Sequence, residues 1–302
     1  MTNIYIKSFN RPFYLDRCIR SVKLNVLRYG KIIVLDDGTE TRFLEKISQI
    51  HPDVEVRSSG ADDGKMALLR QERFLEIGNS YPSAVQFWIT EIAKDEAEFA
   101  VVIEDDSWFC RQIDLASLTA HLSADDANIC KLWWTNEKHD IVESLSATRG
   151  PVIEKFIPKI DGPLDLYQIW IVAFAMFRRD YWLNNVAAAA RLGDESSQLM
   201  AAFDYAKRHT SRSFYKSDCR CIFQGWMIPG RSTPEYYELG LRQHIYMDAV
   251  NDGWLSGYLN VMQNYPYDFD IDYIAGIMEP KITAENLSVW RQWHRRDIRY
   301  FY

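Results

Sequence analysis

Cysteine is scarce and irregular in this sequence: five residues among 302, Cys18, Cys110, Cys130, Cys219 and Cys221. The odd count, and the lack of a secretory leader ahead of them, read as reduced thiols of a cytoplasmic protein, and no structural disulfide is expected. Cys219 and Cys221 make a C-x-C step that in a strand would put both sulfurs on one face, but no second ligand pair at zinc spacing accompanies them. Long apolar runs are missing as well. The longest, residues 169–177, falls short of the roughly 18 residues of a membrane span and reads as a buried strand. Positive charge is in deficit, with a net charge of −7, which argues against a nucleic-acid partner because phosphate contact needs a basic field. There is no internal repeat and no low-complexity linker. A G-x-G-x-x-G turn after the first strand is absent, its place being held by Ser8-Phe9-Asn10-Arg11-Pro12, and so is a P-loop. Dinucleotide oxidoreductases and P-loop NTPases are thereby set aside.

What is present is a chain with 47% hydrophobic and 25% charged residues, enough to bury a full core in one large α/β domain or two small ones. Residues 4–6 form a short strand stopped at Pro12, which permits a helix through Leu15, Ile19, Val22 and Val26. Residues 31–35 are apolar on both faces, as a central parallel strand should be. A helix over 40–50 and a strand over 54–57 complete a β-α-β-α-β alternation. This alternation predicts a mostly parallel sheet flanked by helices, with its ligand site at the carboxyl ends of the strands. Helical stretches at 65–77 and 83–94 lead to the most apolar strand of this half, residues 99–103. Further strands are expected at 128–134, 152–157, 170–177 and 220–223, a helix at 195–208, a Pro/Gly-rich loop at 229–234, and a helical, aromatic, basic tail.

The strongest chemical signal is the triplet Glu104-Asp105-Asp106 at the end of that apolar strand. Three carboxylates sharing a small volume repel one another, and a divalent cation removes that cost. Hard oxygen donors suit Mg²⁺ or Mn²⁺ and leave coordination places for waters and a substrate diphosphate. A solvated acidic turn is the simpler alternative. The second apolar strand, however, ends in Asp36-Asp37-Gly38, so two acidic strand ends fall on one rim, and Arg11 adds a guanidinium fork suited to phosphate.

The opening S-F-N-R-P-x-x-L-x-R-C-I-x-S-V (8–22), the V-L-D-D-G-T step (34–39) and V-V-I-E-D-D (101–106) resemble family 2 and related GT-A glycosyltransferases. The E-D-D spelling of their D-x-D motif is more like the N-acetylglucosaminyltransferase I branch. The resemblance covers about the first 110 residues well and the rest weakly. It implies a GT-A fold and transfer of a sugar from a nucleotide-sugar, UDP-sugar favoured, to an acceptor hydroxyl, with inversion. It further implies Arg11 at the nucleotide phosphates and Asp37, or else Asp36, at the base or ribose. Asp106 would be the direct metal ligand, with Glu104 and Asp105 orienting ribose and sugar, and Lys65 and Arg70 would lie on a donor-binding helix. His244 would complete the metal site, as a late His does in some of these enzymes.

For the general base the resemblance points to Asp204, between Phe203 and Tyr205, with Asp194 and Glu195 as the alternative. Asp194 also reads as a helix N-cap. Asp161 and Asp165 are looser candidates. The expected partition is a nucleotide-sugar half at 1–110, an acceptor and catalytic half at 111–280, and a basic aromatic helix at 281–302. In that helix Leu287, Trp290, Trp293 and Phe301 form a stripe beside Arg291, Arg295, Arg296 and Arg299, suited to a peripheral membrane contact or to packing on the core. The acceptor class stays open among glycans, glycolipids and other hydroxyls. A nucleotidylyltransferase of sugar phosphates and a non-catalytic carbohydrate-binding protein are the alternatives.

Overall fold

A computed structural model describes residues 1–81, 83–133, 140–146, 150–189, 194–227 and 242–297. The expected loop at 229–234, and Phe301 and Arg299 of the tail stripe, lie outside the described residues.

Strand β1 (Asn3–Ser8) is followed by α1 (Pro12–Asn25), β2 (Val26–Leu27), β3 (Ile32–Asp36), α2 (Thr41–Ile50) and β4 (Glu55–Ser58). Pro12 stands in the first turn of α1, where its missing N–H costs nothing and its fixed φ suits a helix. Helices α3 (Asp63–Arg70), α4 (Phe74–Ser80) and α5 (Ala84–Ala93) lead to β5 (Phe99–Glu104). The helix expected over 65–77 is thus broken in two. Glu72, at φ 60°, lies in the break, and left-handed backbone cannot continue a helix.

The second half holds β6 (Ser107–Phe109), β7 (Ile113–Asp114), α6 (Leu115–Ala124), β8 (Ala127–Lys131), β9 (Asp140–Ser146) and β10 (Val152–Ile157). After a 3₁₀ turn at Pro163–Gln168 come β11 (Ala175–Arg178), α7 (Arg179–Ala189), α8 (Glu195–Arg208), β12 (Ser213–Ser217) and β13 (Ile222–Gln224). Helices Gln243–Leu255, Ile271–Met278 and Ala284–Asp297 follow. The strand expected over 170–177 shrinks to β11, because Phe174 takes φ 64°, outside the extended region. Elements β6, β9, β12, α6 and α7 had no counterpart in the sequence reading.

One sheet of nine strands runs in the order β4-β3-β1-β5-β11-β8-β12-β10-β9, and only β11 and β10 run against the rest. The fold is therefore α/β, with a mostly parallel central sheet flanked by helices. The strands β1, β3 and β5 are buried along almost their whole length, which is why they carry no polar alternation. All five cysteines are free thiols.

The sheet has two ends, and they matter for the site. Registers Ser8↔Asp36 and Lys7↔Glu104 put the ends of β1, β3 and β5 side by side on one rim. Since β11 runs the other way, its first residue Ala175 pairs with Val102 and Lys131 near that rim, while Arg178 pairs with Phe99 at the opposite edge.

The last described helix turns its aromatic stripe inward. Trp290 is fully buried and donates its indole N–H to the Met227 carbonyl (2.8 Å), and Trp293 is buried too. Those rings are spent on the core, so they are not available to a membrane. No helix among the described residues is long and apolar enough to cross one.

Candidate functional site

The rim is built first by two tight turns. Asp36 is fully buried, and its Oδ2 accepts the backbone N–H groups of Gly38 and Thr39, each at 2.9 Å. Gly38 sits at φ +104°, where a side chain would be strained and would meet Ala61 and Lys65. Burial raises the Asp36 carboxyl, against the opposing pull of those hydrogen bonds. Asp36 is thus a turn-former, and the turn delivers Asp37. Thr39 Oγ1 in turn accepts the N–H of Asn10 (2.7 Å), whose φ of 50° an Asn tolerates. This bond locks the loop after β1 to the turn after β3.

Asp37 faces Lys65: the ammonium donates to Asp37 Oδ2 and to the Asp37 carbonyl, both at 2.6 Å, and lies 4.7 Å from the Phe9 ring. Asp37 Oδ1 is buried with no protein partner. Arg70, expected beside Lys65, is engaged elsewhere. Its fork holds Asp248 (2.7 and 3.0 Å) and Glu40 (2.9 Å), tying α3 to helix Gln243–Leu255.

The acidic triplet follows β5 directly. Glu104 pairs with Lys7 (3.0 Å), and Lys7 lies 4.9 Å from the Trp88 ring. Asp105 is nearly inaccessible: Oδ2 accepts from Ser8 Oγ (3.2 Å) and Phe9 N–H (3.1 Å), and Oδ1 takes Arg11 Nη2 (2.5 Å). Asp106 Oδ2 takes Arg11 Nη1 (2.7 Å), whereas its Oδ1 is buried without a partner. One guanidinium therefore bridges two adjacent carboxylates. Burial pushes the Asp106 carboxyl up to about 7, Glu104 and Asp105 adding to the rise and Arg11 opposing it. Burial also raises Asp105 in spite of Arg11. Burial pulls Arg11 down, but Asp105, Asp106 and Glu104 outweigh it and hold the guanidinium charged.

Could this rim take a divalent cation? No group of three or more His, Cys, Asp or Glu side chains able to hold a metal occurs among the described residues. The set fits a different kind of site, in which one carboxylate oxygen, Asp106 Oδ1, binds an ion otherwise coordinated by water and a diphosphate. Mg²⁺ and Mn²⁺ are commonly held in this way. His244 is not brought to the triplet. It lies near Asp248, Glu72, Arg70 and Arg242, with its pKa lowered chiefly by burial.

The second half of the rim comes from different elements. Lys131, at the end of β8, is fully buried and donates to the Tyr167 carbonyl (2.9 Å). Tyr167, whose hydroxyl burial raises, interacts with Glu195 in the first turn of α8. Asp194 caps that helix, its carboxylate accepting Ser197 N–H (2.7 Å) and Ser197 Oγ–H (2.8 Å). Asp194 and Glu195 thus stand at the end of the sheet that carries the triplet. Asp204 does not. It is exposed near the other end of α8, ten residues or about 15 Å along the axis. Its neighbour Tyr205 bonds Asp180 (3.1 Å), and Arg212 joins Asp180 (3.0 Å) to Asp126 (3.4 Å), just before β8. Asp126 and Asp180 mark the opposite edge of the sheet, so Asp204 lies toward that edge. Asp165 accepts the N–H groups of Asp161 (2.9 Å) and Gly162 (2.8 Å), shaping the 3₁₀ turn.

The sequence reading missed Phe9, Lys7, Ser8 and Trp88, and on the far side Trp133, Tyr167 and Phe174. Lys7 and Ser8 carried a usable signal, since they end a parallel strand beside the other two acidic strand ends. Phe174 carried none, because its position depends on a left-handed backbone.

No protein-family model matches the chain, and no curated protein matches it. Among solved structures the chain is similar to S. aureus TarS 1–349, at 13% identity and a TM-score of 0.46, over 98% of this chain and 73% of that one. The complex of TarS 1–349 with UDP-GlcNAc matches at 11% identity and a TM-score of 0.44, over 96% and 78%. Glucosyl-3-phosphoglycerate synthase from Mycobacterium tuberculosis, in complex with Mn²⁺, UDP and phosphoglyceric acid, matches at 13% identity and a TM-score of 0.43, over 84% and 78%.

Proposed function

We propose that this chain is a metal-assisted glycosyltransferase of the GT-A kind, moving a sugar from a nucleotide-sugar, UDP-sugar favoured, to an acceptor hydroxyl with inversion. The observation that carries the reading is Asp106: a buried carboxylate with one oxygen on Arg11 and the other unpartnered, on the same rim as Asp37, Lys65 and Phe9. Residues 1–110 form the donor half and residues 111–280 the acceptor half.

In this reading the base and ribose lie against Phe9 and Asp37, whose free Oδ1 accepts a hydrogen bond and whose Oδ2 is held by Lys65. Arg11 bridges Asp105 and Asp106 and puts positive charge beside the diphosphate. Asp106 Oδ1 would hold Mg²⁺ or Mn²⁺, which when bound neutralises charge on the departing nucleoside diphosphate. Glu104, positioned by Lys7, orients the sugar.

Inversion needs a carboxylate on the face of the anomeric carbon opposite the diphosphate. The triplet lies with the leaving group, so the base comes from α8. Glu195 is the better candidate, because Asp194 is committed to Ser197 as the helix cap and Asp204 lies at the far end. Glu195 accepts the proton of the acceptor hydroxyl as its oxygen bonds to the anomeric carbon. The bond from that carbon to the diphosphate oxygen breaks, and its electron pair leaves with the nucleoside diphosphate.

The test is calorimetry of UDP binding with and without Mn²⁺. Mn²⁺ is expected to tighten UDP binding in the wild type and to have no effect in Asp106→Ala. An unchanged metal effect in the variant would move the site elsewhere, and a wild type that binds no UDP at all would remove the donor class.

A further inference from the structure

Arg11, Arg28, Arg57, Arg70, Arg178 and Arg212 each hold a carboxylate, and Arg17, Arg179 and Arg208 donate instead to backbone carbonyls. Arg220 does neither among the described residues. Its guanidinium is half-buried, 5.1 Å from the Trp133 ring and 5.0 Å from the Phe223 ring, and no carboxylate pairs with it among the described residues. The acid beside it in sequence, Asp218, directs Oδ1 to the Val152 N–H (3.1 Å).

The backbone that carries Arg220 is pinned. Its carbonyl accepts Cys110 Sγ–H (3.4 Å), Cys221 N–H donates to the Leu132 carbonyl (2.9 Å), and Cys110 N–H donates to the Cys221 carbonyl (2.9 Å). Trp133 in turn packs against Phe174, with ring centroids 4.9 Å apart, and Phe174 holds the strained φ of 64°. Strain of this kind persists where surrounding structure enforces it, commonly at binding sites. The result is a guanidinium set against two aromatic rings on a hydrogen-bonded backbone.

The chain then leads back to the triplet. β13 pairs with β6 in the register Ile222↔Phe109 and Gln224↔Ser107, and Gly225 N–H donates to the Asp106 carbonyl (2.7 Å). Four residues lie between Arg220 and Gly225, so an extended backbone separates the two by about 16 Å. That distance leaves room for a sugar and an acceptor between them. Arg111 adds a second positive charge, both arginines acting electrostatically on the Cys110 thiol.

We infer that the acceptor is anionic and bears a phosphate or carboxylate group that Arg220 grips from between Trp133 and Phe223. Aromatic contact stabilises a guanidinium but leaves its five N–H donors to be filled, and their fork matches a phosphate or carboxylate edge. This deepens the glycosyltransferase reading and rests on it for the word acceptor; the anion site itself can be measured without turnover.

The experiment is calorimetric titration of sn-glycerol 3-phosphate, D-glycerate and glycerol into the full chain, with and without saturating UDP and Mn²⁺. Wild type, Arg220→Gln and Arg220→Lys are compared. The phosphate probe is expected to bind wild type where glycerol does not. Arg220→Gln should weaken that binding at least about tenfold and leave UDP affinity at the wild-type value, and Arg220→Lys should fall between. Glycerate binding in place of the phosphate probe assigns the anion as a carboxylate. Equal phosphate affinity in wild type and Arg220→Gln, or no binding of either anion, overturns the inference. If wild type fails to bind UDP while Arg220-dependent anion binding persists, the donor reading falls and the anion site stands. Should Arg220→Gln not fold, Arg220→Met keeps the apolar stem between the two rings and gives the same readout.

Discussion

The two halves of the rim are assembled by different physics. On the donor side β3, β1 and β5 are parallel neighbours, and each delivers its functional residues at its own carboxyl end: Asp36 and Asp37, Ser8 to Arg11 through the adjoining loop, and Glu104 to Asp106. On the acceptor side β11 runs against both its neighbours, so the same rim receives the end of β8, the start of β11 and the first turn of α8. The donor side is also a closed electrostatic unit, with Arg11 between two buried carboxylates. The acceptor side presents a guanidinium between rings. A parallel βαβ unit can be read as a rule that strand ends carry chemistry. A mixed sheet has no such rule, and direction must be known first.

The largest expected effect breaks the donor side. Arg11→Ala removes the cation between side chains that are 1% and 9% exposed, leaving buried carboxylates uncompensated. A loss of about 3–5 kcal/mol is expected in urea unfolding at neutral pH, with a smaller loss at acid pH where Asp106 is protonated. A change below about 1 kcal/mol would mean that the triplet relaxes without Arg11.

The next effect sharpens the acceptor side. Glu195→Gln should lower kcat at least about a hundredfold with donor affinity near wild type, whereas Asp204→Asn, at the far end of α8, should turn over normally. The reverse result would return the base to Asp204. A product that keeps the donor's anomeric configuration would remove the inverting mechanism altogether.

A smaller effect tests how strictly the turn after β3 is held. Gly38→Ala places a Cβ 2.9 Å from that of Ala61 and 3.0 Å from Lys65 Cδ, at a φ that disfavours side chains. A destabilisation of about 1–3 kcal/mol is expected in thermal melts, together with weaker nucleotide binding as Asp37 and Lys65 shift.

The smallest expected effect concerns pH. The folded-state pKa of Asp36 is raised by burial, so the folded protein binds more protons than the unfolded chain between the unfolded value of about 3.9 and the folded one. Stability contributed by this group is full below the unfolded pKa and is lost as pH rises through the folded pKa. Asp36→Asn keeps an oxygen for the Gly38 and Thr39 N–H groups and has no charge to bury. Its unfolding free energy, measured from pH 4 to 7, should decline less steeply with rising pH than that of wild type; parallel curves would show that Asp36 does not titrate in this window.

By itself the sequence determined the donor side. Short unbroken apolar runs such as Ile32-Ile33-Val34-Leu35 suit strands buried on both faces, Pro12 suits the first turn of a helix, and acidic residues ending two parallel neighbouring strands meet on one rim. The tertiary structure decided the rest. It showed Asp36 to be a turn-former and Asp37 the partner of Lys65, since both are Asp and only hydrogen-bond geometry separates them. Arg70 and His244 were drawn into ion-pair and packing contacts around helix Gln243–Leu255, away from the triplet. The two ends of α8 came apart as well, Glu195 on the rim and Asp204 on the opposite edge. Helical periodicity gives which face a residue occupies but not which way the helix points, and that direction is set by long-range pairing of β11, β8 and β12, which no local pattern encodes.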